Sequence, residues 1–339
     1  MNVFTIDNIK DFNLADIFDC GQCFRWQRQP NGSYTGVAMG HAVNIDFIEE
    51  AAACGAGDHI ASGNDLTAAC GAGNHMASGP GRLVIRNCTA AEFDNIWRPY
   101  LDLDRDYGSI KHCLTANDPI MAKAVSYGQG IRILKQDLWE TIVSFLISQN
   151  NNIPRIKGCI ENLAAGFGEP IGEMPDFSEA VEGEPAGMEY AAGLKDSETA
   201  GRQANQAAAE GRVCYSLPGP EQLARLSVDD LAAVRLGYRA RYLIETARTV
   251  CEEGLPADED QLNALCGVGP KVANCIMLFG MQKLDSFPID VWVRRVMHEL
   301  YGIDENNKKA MAAYAAEHFG ELGGFAQQYL FYYIRETSK

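Results

Sequence analysis

A lysine and an aspartate in the last third of the sequence have the surroundings that covalent catalysis requires. Lys271 stands in the first turn of a predicted helix, directly after Gly267-Val268-Gly269-Pro270. The helix dipole at that end disfavours an ammonium, and apolar neighbours would bury the amine, so both effects should lower its pKa. An amine with a lowered pKa can attack an electrophilic carbon. Lys271 is therefore predicted to be a nucleophile.

Asp290 precedes the next predicted helix, at the end of Phe287-Pro288-Ile289-Asp290. At an N-cap position its carboxylate keeps its charge. An ionised carboxylate near a reacting carbon would stabilise positive charge in a transition state, whereas a role limited to capping is the simpler interpretation. Cys275 lies one turn after Lys271, on the same helix face.

The segment before Lys271 has the pattern of a tight connection between two helices. Gly267 and Gly269 allow backbone conformations closed to other residues, and Pro270 suits the first position of a helix. Backbone N–H groups at such a turn attract phosphate. A helix–hairpin–helix is therefore predicted at about residues 259–282, with Gly267, Val268 and Gly269 contacting a DNA phosphate. A plain corner between two helices is the alternative.

The remaining patterns predict an α+β chain with an antiparallel β-rich part followed by a helical body. Alternating apolar residues predict strands around residues 23–26, 34–38, 42–48 and 82–86 within a β-rich domain at 1–115, which contains a Gly/Ala-rich insertion at about 50–80. The helical body is predicted at 116–339, with an acidic insertion at about 169–212. Its helices are expected near 137–147, from about 155 onward behind Pro154, and near 220–234, 240–252, 259–265, 271–282, 291–301, 308–319 and 325–336.

Composition limits the partners and the compartment. The net charge of −16 argues against a nucleic-acid partner. However, residues 169–210 hold ten acidic and two basic residues, a local net charge of −8. A DNA-binding face would thus be a local concentration of basic groups. The sequence has 11 cysteines, an odd number that cannot all be paired in disulfides, so reduced thiols are favoured. Because no apolar run is long enough to cross a membrane, a cytoplasmic protein is expected, at the nucleoid in a bacterium, or a nuclear protein in a eukaryote. A monomer is expected.

Two cysteine motifs raise the question of a metal. Cys54 to His59 and Cys70 to His75 repeat a Cys-Gly-Ala-Gly-x-His sequence. A zinc site is one interpretation, but this spacing differs from that of known zinc fingers, and the glycines would hold ligands loosely. A duplicated loop between strands is favoured. Cys20-Gly21-Gln22-Cys23 has no second pair in the sequence and is interpreted as a turn at a strand edge.

Five motifs together resemble the helix–hairpin–helix DNA glycosylase superfamily and, within it, the 8-oxoguanine DNA glycosylase family. Beside the hairpin with Lys271 and Asp290, they are Asp19-Cys20-Gly21-Gln22-Cys23-Phe24-Arg25-Trp26, Ser148-Gln149-Asn150-Asn151-Asn152-Ile153-Pro154-Arg155, Leu236-Gly237-Tyr238-Arg239-Ala240-Arg241-Tyr242 and Phe325-Ala326-Gln327-Gln328-Tyr329-Leu330-Phe331. They follow the order of that family. The resemblance covers most of the chain apart from the segments near 50–80 and 170–212.

The resemblance implies a bifunctional DNA glycosylase and AP lyase that excises 8-oxoguanine, preferentially opposite cytosine, and needs no cofactor. Its partner would be double-stranded DNA containing an oxidised purine. Lys271 would form a Schiff base with the sugar before β-elimination, and Asp290 would stabilise the sugar cation. The carbonyl of Gly21 would accept the N7 hydrogen that guanine lacks. Gln327 would bind the Watson–Crick edge of the flipped base, with Phe331 and Cys275 on its two faces.

Four further residues are implied to contact the opposite strand. Asn150 would fill the vacated stack, Arg155 and Arg239 would donate to the unpaired cytosine, and Tyr238 would wedge beside it. The carbonyls of Asn263, Leu265 and Val268 are candidate ligands of a monovalent cation against a phosphate. Trp292 departs from the family pattern, because the animal and fungal members carry histidine there.

Three alternative functions have different sequence requirements. Endonuclease-III-like glycosylases carry four clustered cysteines near the C-terminus, and no cysteine follows Cys275. A related glycosylase with another lesion preference and a non-catalytic helix–hairpin–helix module that only binds DNA both remain open. The non-catalytic module needs neither Lys271 nor Asp290, so borohydride trapping on damaged DNA would separate it from an enzyme.

Overall fold

A computed structural model describes residues 2–49, 79–173 and 213–338. The Cys-x4-His repeat and nearly all of the two predicted insertions lie outside these residues, so the metal interpretation of the repeat stays a prediction. No helix of the described residues is both long and apolar enough to cross a membrane.

The N-terminal part is a five-stranded antiparallel sheet in the order β1-β5-β4-β3-β2. Its strands are β1 Val3–Ile9, β2 Trp26–Arg28, β3 Tyr34–Ala38, β4 His41–Glu49 and β5 Gly81–Arg86. Trp26 pairs with Gly36 across β2 and β3. A Cβ at Gly36 would lie 2.4 Å from the Trp26 indole, so a glycine lets this ring cover the strand.

Helices begin before residue 115, earlier than the sequence pattern indicates. The helices before that residue are α1 Leu14–Phe18, α2 Ala90–Glu92, a π-helical turn Phe93–Trp97, α3 Arg98–Tyr100 and α4 Tyr107–Thr115, and α5 Pro119–Tyr127 follows. A capping box starts α2, where the Thr89 side chain accepts from Glu92 N and the Glu92 carboxylate accepts from Thr89 N. The sheet and α1 to α3 enclose an aromatic core in which Phe18 stacks on Trp26 at 4.2 Å.

The helical body follows the predicted order. Its elements are α6 Leu138–Ser148, α7 Ile153–Phe167, a two-stranded sheet of β6 Pro170–Glu173 and β7 Val213–Tyr215, α8 Pro220–Ala224, α9 Arg239–Glu253, α10 Glu259–Ala264, α11 Pro270–Phe279, α12 Val291–Glu299, α13 Lys308–His318 and α14 Gly323–Thr337. The α+β fold class is confirmed.

One helix was predicted too long. The stretch 220–234 contains α8 and then only a 3-10 turn at Ala232–Val234. Between them the Ser227 N–H and hydroxyl both bond Asp230 Oδ2, at 2.8 and 2.7 Å. Such local side-chain bonds compete with the helical backbone pattern, and an apolar spacing count does not detect them.

Candidate active site

The hairpin between α10 and α11 is a tight turn at Gly267. Its φ is +81°, and a Cβ there would lie 2.4 Å from the Tyr242 ring, so both conformation and space require glycine. Val268 N–H donates to the Leu265 carbonyl at 3.1 Å and closes the turn. Gly269 has a φ of −107°, which any residue adopts, so the expected special conformation is wrong there. A Cβ at Gly269 would meet no described atom within 4 Å, so this face of the turn is open.

Lys271 lies in the first turn of α11, as predicted, with its amine inside the protein. Nζ is 5.5 Å from the centroid of the Phe145 ring, which stacks on Phe279 at 5.6 Å. The Cys275 thiol accepts a hydrogen bond from the amine, and the Asp290 carboxylate interacts with it electrostatically. Lys271, Cys275 and Asp290 are named the Lys271 cluster below.

The charge of the amine differs from the expectation. Burial lowers the pKa of Lys271, but Cys275 and Asp290 together raise it, so that the pKa lies above the ordinary value. The expected pKa depression is therefore wrong for the free protein, because a carboxylate and a thiol outweigh the effect of desolvation. The amine is an ammonium in the free protein at neutral pH and must lose a proton before it can attack.

Asp290 is the N-cap of α12, as predicted. Its Oδ1 accepts from Trp292 N at 3.0 Å and Val293 N at 2.8 Å. Burial raises the pKa of Asp290, whereas the Val293 N–H bond and Lys271 oppose the rise. Capping and proximity to Lys271 are thus compatible. Trp292 is half-buried, packs against the main core and bonds the carboxylate through its backbone.

The loop that holds Gly21 is fixed from several sides. Gly21 has a φ of +85°. The fully buried Gln22 amide donates to the carbonyls of Ile17 and Arg132 at 2.9 and 2.8 Å and accepts from Leu134 N at 2.9 Å. On the other side, Gln328 Nε2 donates to the Cys20 carbonyl at 3.0 Å. The cysteines of this motif are buried free thiols, consistent with a structural turn.

Gln327 and Phe331 lie one helical turn apart on α14. Gln327 is 5% exposed, and its Oε1 has no hydrogen-bond partner among the described residues. A buried carbonyl oxygen without a donor is costly, which favours a ligand as its missing partner. Phe331 faces the loop: a Cβ at Gly21 would lie 3.3 Å from the ring.

The residues assigned to the opposite strand also meet. Asn150 has a φ of +47°, and its Nδ2 donates to the Tyr238 hydroxyl at 3.3 Å. Tyr238 is 47% exposed, with the Arg239 guanidinium 4.6 Å from its ring centroid. Arg155 is exposed and reaches the Arg235 carbonyl of the same loop at 3.3 Å.

The two arginines differ in how free their donors are. Arg239 is 4% exposed and donates to the Gln149 carbonyl through Nε at 2.8 Å and to the Asn150 carbonyl through Nη2 at 2.9 Å. It therefore holds the loop that carries Asn150. Arg155 keeps most of its donors toward solvent and is the freer of the two to bind a base.

The candidate cation ligands flank the hairpin turn. The Leu265 carbonyl accepts from Val268 N and retains a second lone pair. Thr246 Oγ1 donates to the neighbouring Cys266 carbonyl at 3.2 Å and orients the turn. Across the described residues, no group of three His, Cys, Asp or Glu side chains could hold a metal.

Three supporting residues escaped the reasoning from sequence. Gln22 stands in the Asp19–Trp26 motif, but no sequence pattern marks its amide as a support of the neighbouring Gly21. Phe145 has the spacing of an ordinary core residue. Its ring nevertheless lies 5.5 Å from the Lys271 amine and contacts Phe24 edge-on at 5.8 Å. Arg335 lies one turn after Phe331. No sequence pattern indicates its position beside Gly21, because only packing between distant segments brings the two together.

Comparisons with known proteins identify relatives of this chain. Residues 5–142 match the family model described as 8-oxoguanine DNA glycosylase, N-terminal domain, and residues 143–321 match the HhH-GPD superfamily base excision DNA repair protein model. The chain is 39% identical over 120 residues to a probable N-glycosylase/DNA lyase of Methanothermobacter thermautotrophicus, covering 33% of this chain and 38% of that one. It is 30% identical over 235 residues to an N-glycosylase/DNA lyase of Saccharomyces cerevisiae, covering 63% of this chain. The chain thus spans 38% and 48% of the length of these two curated relatives.

A solved structure matches over the whole length. It is a Clostridium acetobutylicum 8-oxoguanine glycosylase/lyase in complex with double-stranded DNA containing cytosine opposite 8-oxoguanine. It is 34% identical to this chain with a TM-score of 0.75, covering 100% of this chain and 99% of that one.

The fold and site define a member of the HhH-GPD superfamily of base excision DNA repair proteins. Because the N-terminal part matches the 8-oxoguanine DNA glycosylase model and the full-length structural match is to such an enzyme, the chain belongs to the 8-oxoguanine DNA glycosylase family.

Proposed function

We propose that this protein is a bifunctional DNA glycosylase and AP lyase that removes 8-oxoguanine from double-stranded DNA, preferentially opposite cytosine. The observation that carries the proposal is the Lys271 cluster: a buried amine beside a capped carboxylate, directly behind a helix–hairpin–helix turn. A module that only binds DNA through its hairpin has no need of a buried amine, since burying a charge costs free energy.

The chemistry would start with a proton leaving the Lys271 ammonium. Nζ then attacks the anomeric carbon of an extruded nucleotide, and the bond from that carbon to the base breaks with its electron pair on the base. The base takes up a proton as it departs. Asp290 would stabilise the oxocarbenium-like sugar electrostatically. Collapse of the adduct opens the sugar to a Schiff base on Lys271, and loss of the 2′ proton expels the 3′ phosphate.

Recognition of the lesion would fall to the residues around Gly21 and Phe331. The Gly21 carbonyl is an acceptor for an N7 hydrogen, which 8-oxoguanine has and guanine lacks. A mismatched pair of acceptors costs about 1–3 kcal/mol. The unpartnered Oε1 of Gln327 would take a donor from the Watson–Crick edge of the base. Cys275, 4% exposed beside Lys271, would cover the other face.

The DNA backbone would lie against the open side of the hairpin. Gly267 and Gly269 would offer their backbone N–H groups to a phosphate at the helix start. The N–H of Val268, which was predicted to do the same, is already bonded to the Leu265 carbonyl. The Asn263, Leu265 and Val268 carbonyls would hold a monovalent cation against that phosphate.

Borohydride trapping on duplexes containing 8-oxoguanine tests the proposal. We expect a covalent protein–DNA adduct with the wild type and none with Lys271→Gln. An exposed lysine supplies the matched control, and Lys283→Gln should trap like the wild type. Binding without any adduct in the wild type would favour the non-catalytic module, and an adduct only on duplexes with other lesions would favour a related glycosylase.

The cytosine preference has a separate test. Arg155→Ala should relax discrimination among the four opposite bases, because its free donors face solvent where the unpaired base would lie. Arg239→Ala should also relax it, but with loss of order in the Asn150 loop, since its bonds hold that loop. Single-turnover excision opposite each base measures the effect. Unchanged discrimination in Arg155→Ala would defeat the assignment.

A further inference from the structure

The last helix, α14, carries an arginine that the proposed chemistry has not used. Arg335 lies two turns after Gln327 and one turn after Phe331, so the three side chains share one face of the helix. Its side chain is 11% exposed. A buried guanidinium is costly unless something nearby needs its charge or its donors.

Arg335 contacts two of the residues proposed to bind the base, Phe331 and Gly21. Its guanidinium carbon is 5.2 Å from the centroid of the Phe331 ring, within the range of a cation–π interaction. Its Nη1 lies 3.2 Å from the position of a Cβ at Gly21, and the Phe331 ring lies 3.3 Å from the same position. Guanidinium, ring and loop are therefore in mutual contact.

Its three nitrogens are unequally engaged. Nη2 donates to the Asp19 carbonyl at 2.6 Å, and Nε pairs with Glu336 at 2.9 Å. Nη1, on the side of Gly21, is buried without a hydrogen-bond partner in the part of the chain that is described. The bond to Asp19 explains how Arg335 ties the loop to α14. It does not explain a cation held against the ring.

We infer that Arg335 is a positioning residue for base excision: it fixes Gly21 and Phe331 and places a positive charge behind the ring on which the base stacks. This inference rests on the proposed function. When the glycosidic bond breaks, its electron pair moves onto the base, so negative charge develops there. A fixed cation in a site that excludes water stabilises that charge. Cleavage at an abasic site involves no base and gains nothing from Arg335.

That asymmetry provides the test. Excision of 8-oxoguanine and nicking of a preformed abasic duplex are measured separately under single-turnover conditions. Arg335→Met keeps the bulk of the side chain without its charge, and should lower excision at least about tenfold. Nicking of the abasic duplex should stay within about twofold. Arg335→Lys keeps the charge and should recover most of the excision rate.

Arg105→Met is the matched control. Arg105 also lies over a ring of α14, 5.7 Å from the Phe325 centroid, but away from Gly21. Both steps should match the wild type in this variant. Wild-type excision by Arg335→Met, or equal loss of both steps in Arg335→Met and Arg335→Lys, would overturn the inference and leave the proposed function standing. An inactive wild type would overturn the proposed function, and the inference with it.

Discussion

Two partly buried clusters of charged groups differ in how completely their charges are paired. The Lys271 cluster holds its amine with one thiol contact, the field of a carboxylate and an aromatic ring. The Arg25 cluster consists of Arg25, Glu140 and Glu161. Arg25 donates two hydrogen bonds to the Glu161 carboxylate, at 2.8 and 3.3 Å, and one to the Tyr215 carbonyl at 2.7 Å. Glu140 completes it at 4.0 Å.

The difference separates two uses of buried charge. Two bonds to the Glu161 carboxylate and one to the Tyr215 carbonyl fix Arg25, which joins the start of β2 to α7 and β7. Its Nη1, 4.0 Å from Glu140, has no hydrogen-bond partner among the described residues. The amine of Lys271 has few directed bonds, so it can lose a proton and move to a new partner. We expect substitutions in the Arg25 cluster to change stability and substitutions in the Lys271 cluster to change rate.

The largest effect is expected from Lys271→Gln. Loss of the nucleophile should reduce excision at least about a thousandfold. The free energy of unfolding should change by less than about 1 kcal/mol, because Asp290 keeps its bonds to the N-terminus of α12. Single-turnover excision and urea unfolding measure the two quantities. Strong destabilisation would show that the lysine is structural and would break the comparison.

Arg25→Met should show the reverse. Removing the cation leaves Glu140 and Glu161 unpaired and should lower the free energy of unfolding by about 2–3 kcal/mol, below the range for fully buried pairs because Glu161 is 42% exposed. Excision per folded molecule should stay within about threefold of the wild type. A collapse of the rate in fully folded protein would contradict the division of roles.

The pH dependence of excision sharpens the picture of the Lys271 cluster. The rate constant kcat/KM should rise with pH through the neutral range, because the pKa of Lys271 is raised and only the neutral amine attacks. As the pH falls, protonation of Asp290 should also remove activity. Because burial raises the pKa of Asp290, this loss should begin at a higher pH than for an ordinary aspartate.

Cys275→Ala removes a group that raises the pKa of Lys271, so its profile should shift to lower pH. Cys251→Ala, at an exposed cysteine, is the control and should not shift it. Coincident profiles for Cys275→Ala and the wild type would remove the thiol from the control of the amine.

The smallest effect is expected from Glu140→Gln. Burial raises the pKa of Glu140 to about 7, although Arg25 opposes the rise. A raised folded-state pKa means that stability is fully present below the unfolded-state pKa and is lost as pH rises through about 7. Glu140→Gln should therefore be more stable than the wild type by about 1–2 kcal/mol at pH 8, with little difference at pH 5. Equal stability at both pH values would contradict the assigned burial.

Local patterns in the sequence determined much of the site. Gly267 could be assigned from its neighbours because a tight turn requires its conformation, and Asp290 because an N-cap is a local feature. The strands around Trp26 and the helices that carry Lys271 and Gln327 followed from apolar spacing. The failure at 220–234 came from Ser227 and Asp230, whose competing hydrogen bonds leave no trace in that spacing.

Tertiary structure decided the charges and the supports. The dipole and apolar neighbours of Lys271 argued for a lowered pKa. Asp290 and Cys275 reversed it, because electrostatic interactions depend on distances that only folding sets. The same holds for the supports of Gly21. Gln22 fixes the loop through bonds to Arg132 and Leu134, which are distant in sequence. Arg335 fixes it through a bond to the Asp19 carbonyl. The sequence by itself determined which groups could react. The packing of distant segments decided their protonation and their orientation, since burial and hydrogen-bond partners exist only in the folded chain.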